Sequence, residues 1–187
     1  MLMEINEFEF LLRDGRRAVI RSPRDEDVQG VIDYMYVTAC DTEFVIRYPE
    51  ECSKYTPDVE RDLFRHMNSS NSRAMLLCLV DDIVAGCCEI SWSNSLKIRH
   101  RADVAIAVVK DYWGLGIGTR MFNEMIRIAR ENEYITQLEL DFIEGNTRGR
   151  AFYEGLGFRI TGVKPDAIRL KDGTMRNIIS MVKKIER

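Results

Sequence analysis

The 187-residue chain has no apolar run long enough to cross a bilayer. Its longest, Ala74 to Val80 and Val104 to Val109, are strand-sized, where a span needs roughly 18 residues. Histidine is nearly absent: only His66 and His100 occur, and neither has a second histidine at i+4. The five cysteines, Cys40, Cys52, Cys78, Cys87 and Cys88, are odd in number and show no C-x-x-C spacing. That argues against a disulfide framework and against a structural zinc site, so no metal is expected. Cys78, Cys87 and Cys88 lie in apolar stretches and are expected as small buried hydrophobes in a reducing compartment. An excess of basic charge is missing too. With 27 Lys and Arg against 30 Asp and Glu, the net charge is −3, a poor match for a dedicated nucleic-acid binder. The start, MLMEINEFEF, is acidic and lacks the basic and apolar regions of a secretory leader, so the cytoplasm is the expected location.

Repeats, low-complexity tracts and long linkers are also lacking. Ordinary composition (45% hydrophobic, 30% charged) and a length near the prior of roughly 150 residues per domain give the expectation of one domain over 1–187. A chain of this size buries roughly 70% of its unfolded surface.

What is present alternates between strand and helix periodicity. Ala18 to Arg21 reads as a strand. Ser22 is placed to cap a helix, with Pro23 at its first position and Val28, Val31, Ile32, Met35 and Tyr36 along one face. Cys40 to Tyr55 is aperiodic and reads as a loop. Thr56-Pro57-Asp58 repeats the start signal, and Val59, Leu63 and Met67 mark the face of a second helix. Ala74 to Val80 and Ile83 to Trp92 read as a hairpin around Asp81-Asp82. Arg101 to Val109 is a third strand, apolar enough to suggest burial on both faces. Gly116 to Asn132 is a helix with Ile117, Met121, Met125 and Ile128 on one face. Gln137 to Phe142 is a strand, Thr147 to Leu156 a helix ended by Gly157, and Ile178 to Lys183 a last strand. The expected class is α/β, with helices on the faces of a mixed sheet.

The most informative segment is Asp111-Tyr112-Trp113-Gly114-Leu115-Gly116-Ile117-Gly118-Thr119, between the third strand and a helix. Three glycines let backbone approach a ligand closely, and the helix offers free N–H groups at its positive end, a combination suited to pyrophosphate. A P-loop is excluded because no Gly-Lys-Ser/Thr follows. The G-x-G-x-x-G pattern fails as well: from Gly114 it would need glycine at Thr119, and from Gly116 it finds Thr119, Arg120 and Met121 after Gly118.

With its flanks, this segment resembles the acetyl-CoA-binding motif of the GNAT superfamily of N-acetyltransferases, Gln/Arg-x-x-Gly-x-Gly/Ala after a strand. Trp113 through Gly118 fits it except at Trp113, where Gln or Arg is usual. A second match, Asn146 through Phe158, resembles the family's N-x-x-A-x-x-[F/L]-Y-x-x-x-G-F segment, read with one residue inserted between Asn146 and Ala151. The resemblance is most specific over residues 101–158 and weak before residue 70.

The resemblance implies a GNAT-like, largely antiparallel sheet flanked by helices on both faces. It implies acetyl-CoA as co-substrate and direct attack by a primary amine of a small molecule or peptide, with no acyl-enzyme. Ile106, Ala107 and Val108 are expected along the pantetheine arm, with a backbone N–H near Val108 on the thioester carbonyl. Trp113, Gly114, Leu115, Gly116, Ile117, Gly118 and Thr119 are expected at the pyrophosphate, and Asn146 at the pantetheine arm. Tyr153 is the expected acid for the leaving thiolate; a phenol with a pKa near 10 suits that task. The bland alternative is a ring packed against Phe152 and Phe158.

Glu89, in an apolar strand opposite Cys88 and Ile90, is the candidate base, with Asp103 and Glu139 as others. Arg99-His100-Arg101 is a basic cluster that could attract a 3′-phosphate or an acidic substrate, or be a solvated loop. Asp41, Glu43, Glu50 and Glu51 would favour a cationic acceptor. The competing class is a non-catalytic acyl-CoA-binding sensor. A homodimer is an assembly to test, since dimers are common among relatives.

Overall fold

A computed structural model describes residue 5 and residues 7–186. Part of the acidic start and both outer bounds of the expected 1–187 domain lie outside the described residues. One eight-stranded sheet runs in the order β1-β2-β3-β4-β5-β6-β8-β7. Its strands are β1 (Phe8–Leu11), β2 (Arg17–Arg21), β3 (Arg73–Val80), β4 (Ile83–Trp92), β5 (Arg101–Val108), β6 (Gln137–Ile143), β7 (Arg159–Arg169) and β8 (Met175–Lys184). The helices are α1 (Val28–Asp41), α2 (Pro57–Ser69), α3 (Ile117–Glu131) and α4 (Thr147–Gly155). Every pairing is antiparallel except β5 with β6, which pair in parallel. The mixed, largely antiparallel sheet with helices on both faces is the expected class.

The β5–β6 ladder is short. It joins Arg101–Asp103 to Gln137–Glu139, while β4 stays paired with β5 up to Val108 and β8 with β6 up to Ile143. Beyond Asp103 the two strands part, and the gap between them positions the site.

Two apolar clusters hold the layers. Under α3 and α4, Ile117, Met121, Phe122 and Met125 pack on Cys88, Ile90, Val104, Leu138 and Leu140. Under α1 and α2, Val28, Val31, Tyr34, Phe64 and Met67 pack on Met75, Leu77, Leu79 and Cys87. Cys78, Cys87 and Cys88 are free buried thiols, as expected, and burial raises all three. Asp81 and Asp82 both take positive φ (51° and 62°), which closes the β3–β4 hairpin as a two-residue turn with the twist such hairpins need.

Several local expectations are corrected. Ser22 does not cap α1: its hydroxyl accepts from the Ile5 N–H at 2.9 Å, and a 3-10 turn at Asp25–Asp27 precedes the helix. The buried side of α1 carries Tyr34, Thr38 and Ala39, whereas Tyr36 is exposed. Thr56 does cap α2, but the helix buries Glu60, Phe64 and Met67 and leaves Val59 exposed, because the larger Phe64 sets the packed face. The segment expected as a loop from Cys40 continues α1 to Asp41 and then forms a 3-10 helix at Pro49–Lys54.

β5 is not buried on both faces. Ala102 and Val104 are enclosed, while Arg101, Asp103 and Ala105 are exposed; α1 meets β5 farther along, where the Tyr34 hydroxyl donates to the Ala107 carbonyl at 3.0 Å. β1 and β7 carried no strand signal. β1 is a four-residue edge, and β7, the opposite edge, is broken by Gly162, Pro165 and two register shifts that an edge strand tolerates.

Candidate active site

A cleft of about 470 Å³ opens where β5 and β6 part. Its floor is the end of β5, at Ile106, Ala107 and Val108. One wall is the glycine turn and the start of α3, with Trp113, Gly114, Gly116, Ile117, Gly118 and Thr119. The opposite wall is the start of α4, with Asn146, Thr147, Arg148 and Gly149, backed by Phe152 and Tyr153. The structure therefore gathers the expected residues into one cleft, apart from Leu115 and Glu89, which stand outside its lining. Leu115 packs inward against the core.

The glycines have distinct tasks. Gly114 and Gly116 take φ of +80° and +98°, and a Cβ on either would meet nothing within 4 Å. Backbone conformation requires them, and the space before them is open. Gly118 has a different reason: a Cβ there would lie 3.2 Å from the Phe152 ring. Gly116, in the left-handed conformation, precedes the first residue of α3, and the first turn of that helix, whose N–H groups have no intrahelical partner, lines the cleft at Ile117, Gly118 and Thr119.

Asn146 caps α4: its Oδ1 accepts from the Gly149 N–H at 2.8 Å. That geometry corrects the reading of the second motif. Counted from Asn146, Gly149 stands at the small-residue position, so no inserted residue is needed, and Phe152, Tyr153, Gly157 and Phe158 fall in step. The spacing alone could have shown this. A Cβ at Gly149 would lie 2.6 Å from the Asn146 carboxamide, so the smallest residue is demanded there.

Two helix N-termini thus face one cleft, and both favour an anion. Glycines with open space before them, free N–H groups and an apolar strand end suit a long thioester with phosphates at one end. The residues fit acetyl-CoA.

The ring of Tyr153 packs in a cage, with centroids 5.9 Å from Phe122, 5.9 Å from Phe142, 5.6 Å from Phe152 and 6.2 Å from Phe158. The packing role and the position in the cleft therefore coexist. Burial pushes the phenol up to about 12.

Glu89 lies on the other face of the sheet, cross-strand from Met75 and Ala105, two residues along β4 from the Cys87–Ala107 pair. It is exposed, yet enough protein surrounds it to strip part of its hydration. That loss raises its carboxyl above the ordinary glutamate range, while the Arg73 guanidinium pulls the other way. Glu60 on α2 is almost wholly buried, and its Oε2 has no hydrogen-bond partner. Burial and then the charge of Glu89 raise it.

The other base candidates differ. Burial and the charge of Glu139 raise Asp103. For Glu139, burial works upward but the hydrogen bonds from Arg101 and Gln137 prevail and hold it low, as a committed carboxylate.

The two charged clusters of the sequence are placed elsewhere. Arg99-His100-Arg101 lies at the far end of β5 from the glycine turn. Arg101 pairs with Glu139 at 2.6 Å and Arg99 stacks 3.8 Å over Tyr134, so the cluster does not reach the cleft. The acidic group near α1 is engaged internally. Asp41 accepts from the Lys110 N–H at 3.0 Å, Glu51 from the Tyr48 N–H at 2.7 Å, and Glu50 pairs with Lys171. It is not a free acidic patch.

Sequence reasoning missed Arg13, Thr42, Phe44 and Val45, which complete the cleft. Phe44 reaches across to Gly145, where a Cβ would lie 3.6 Å from its ring. These residues carry no motif. Only the fold brings them to the site.

With this geometry in view, residues 37–158 match the family model for acetyltransferase (GNAT) family. The chain belongs to that family. No curated protein matches the sequence significantly. Among solved structures, a GNAT-family acetyltransferase from Streptococcus pneumoniae has TM-score 0.82 at 22% identity, covering 90% of this chain and 99% of that one. A putative acetyltransferase from Salmonella typhimurium, with its cofactor acetyl-CoA, has TM-score 0.75 at 15% identity, covering 91% and 95%. A ribosomal L7/L12 alpha-N-protein acetyltransferase in complex with coenzyme A has TM-score 0.73 at 14% identity, covering 90% and 94%. At these identities the likeness carries the fold. The GNAT chain is an acetyltransferase by its family, and no helix among the described residues is long and apolar enough to cross a membrane.

Proposed function

We propose that this GNAT acetyltransferase moves the acetyl group of acetyl-CoA to a primary amine of a small molecule or peptide, by direct attack in a ternary complex. The observation that carries the reading is the joining in one cleft of an anion-receptive end, at Gly114 to Thr119, with a phenol, Tyr153, backed by an apolar cage.

Two helix starts and the glycine turn hold the phosphates, while Ile106, Ala107 and Val108 line the pantetheine arm and Asn146 adds its carboxamide N–H group. A backbone N–H at Val108 donates to the thioester carbonyl as negative charge develops there. The amine nitrogen attacks the carbonyl carbon from the α1 and α2 side. Its proton passes to Glu89 through water, and the C–S bond breaks as the Tyr153 hydroxyl gives its proton to the departing sulfur.

Tyr153, pushed up by burial to about 12, is a phenol at neutral pH, so the proton is there to give. Proton exchange through solvent between Glu89 and Tyr153 restores both. The chain functions as a single domain in the cytoplasm under this reading.

The test is turnover. Purified protein with acetyl-CoA is offered polyamines, amino acids, aminoglycosides and peptides, and thiol release is followed. The expected result is acetylation of one class well above background hydrolysis. CoA binding with no turnover on any amine would favour the sensor instead.

A further inference from the structure

We propose that Arg13 and Arg148 bind phosphate groups at the nucleotide end of the cofactor and replace the polar side chain that Trp113 removes from the motif. The inference rests on the cofactor reading above and adds two residues that the motif does not contain.

Trp113 cannot serve an anion. Its Nε1–H is turned back and donates to the Val108 carbonyl at 2.6 Å. Cations reach the same place from two other segments. Arg13 stands in the turn between β1 and β2, and its backbone N–H donates to the Leu115 carbonyl at 3.2 Å. Its Nη1 donates to the Gly114 carbonyl at 3.1 Å. A guanidinium has five N–H donors, so most remain available. Arg148, second in α4, lies 4.6 Å over the Trp113 ring. The indole that displaced the motif's side chain is thus the platform for an arginine from across the cleft. Both arginines line the cleft beside Gly116 and Thr119.

Their neighbours show what is unusual. Arg16, in the same turn as Arg13, is paired with Asp14 at 2.8 Å. Arg150, in the same helix as Arg148, is paired with Glu154 at 2.8 Å. Among the described residues, Arg13 and Arg148 have no acidic partner. Two uncompensated guanidinium groups beside two helix N-termini make a positive pocket in a chain of net charge −3. The ligand chemistry is a phosphate oxyanion, which CoA offers as its 3′-phosphate and its pyrophosphate.

Calorimetric titration tests this with CoA, dephospho-CoA and S-acetylpantetheine against wild type, Arg13→Gln, Arg148→Gln and the double variant. Each single change is expected to weaken CoA binding about fivefold or more, and the loss should shrink in high salt. S-acetylpantetheine, which has no phosphate, should bind all four proteins alike. A loss that disappears with dephospho-CoA assigns the arginines to the 3′-phosphate, and one that persists assigns them to the pyrophosphate. Both outcomes support the proposal. Arg13→Lys, which keeps the charge, should recover much of the affinity.

Wild-type binding with both Gln variants within twofold of it would overturn the arginine assignment alone. A salt-independent loss shared by Arg13→Lys and Arg13→Gln would also overturn it, by making Arg13 a brace for the turn. Failure of wild type to bind CoA would overturn the cofactor reading itself.

Discussion

The two faces of the sheet are built by different rules. Under α3 and α4, the site is made from backbone: positive-φ glycines, exposed helix N–H groups and an asparagine cap, all set on an extensive apolar layer. Under α1 and α2, the groups proposed for the acceptor side are side chains. Glu89 and Glu60 sit where the smaller apolar layer stops, and β5 carries an exposed face beyond it. A site of backbone groups survives sequence change as long as the turn keeps its shape, which is why that half carries a family signature. A site of side chains can vary freely, and it is the half that would set the acceptor.

The comparison breaks first at Tyr153. Tyr153→Phe keeps the aromatic cage and removes only the hydroxyl, so kcat should fall about 100-fold or more while the CoA Kd stays put. An unchanged kcat would leave the ring as packing and move the acid elsewhere.

Next comes a matched pair of core truncations. Phe122→Ala and Phe64→Ala each remove a fully buried ring, one from each face, and each should cost about 3–5 kcal/mol in urea unfolding. Only Phe122 touches Tyr153, at 5.9 Å between centroids. Phe122→Ala should therefore also lower kcat, whereas Phe64→Ala should leave CoA binding within twofold. Equal effects on catalysis would mean that the faces are not functionally separate.

A base works only when deprotonated, and partial loss of hydration raises Glu89, so the rise of kcat/KM with pH should lie above the ordinary glutamate value of about 4.3. Glu89→Gln should flatten that limb and lower kcat/KM about tenfold. A limb that persists unaltered in the variant would assign the base to another group.

The sequence was most readable where local pattern and tertiary role agree. The Asp81-Asp82 turn, the Ile117-Met121-Met125-Ile128 stripe and the end of α4 at Gly157 all follow from short-range rules, whereas the two glycine-bearing segments were legible by their resemblance to GNAT motifs, the second with an insertion that its spacing does not need. Periodicity failed where a polar residue is carried inward. Glu60 is buried in the first turn of α2 because Phe64 fixes the face, and no apolar count would select it. It failed again on β7, whose Gly162 and Pro165 erase the alternation. Arg13 and Phe44 were beyond reach for another reason. Arg13 meets Gly114 across 101 positions of sequence, and only the fold closes that distance.

The most direct test of the cofactor cleft is one ratio, the Kd for CoA of Gly116→Trp against Gly173→Trp. Both glycines have positive φ (+98° and +87°) and open space around a Cβ, so the backbone strain is matched, but Gly173 lies in the β7–β8 turn away from the cleft. Gly116→Trp is expected to weaken CoA binding about 100-fold or more while Gly173→Trp binds as wild type does. Equal affinities in two folded variants would contradict it.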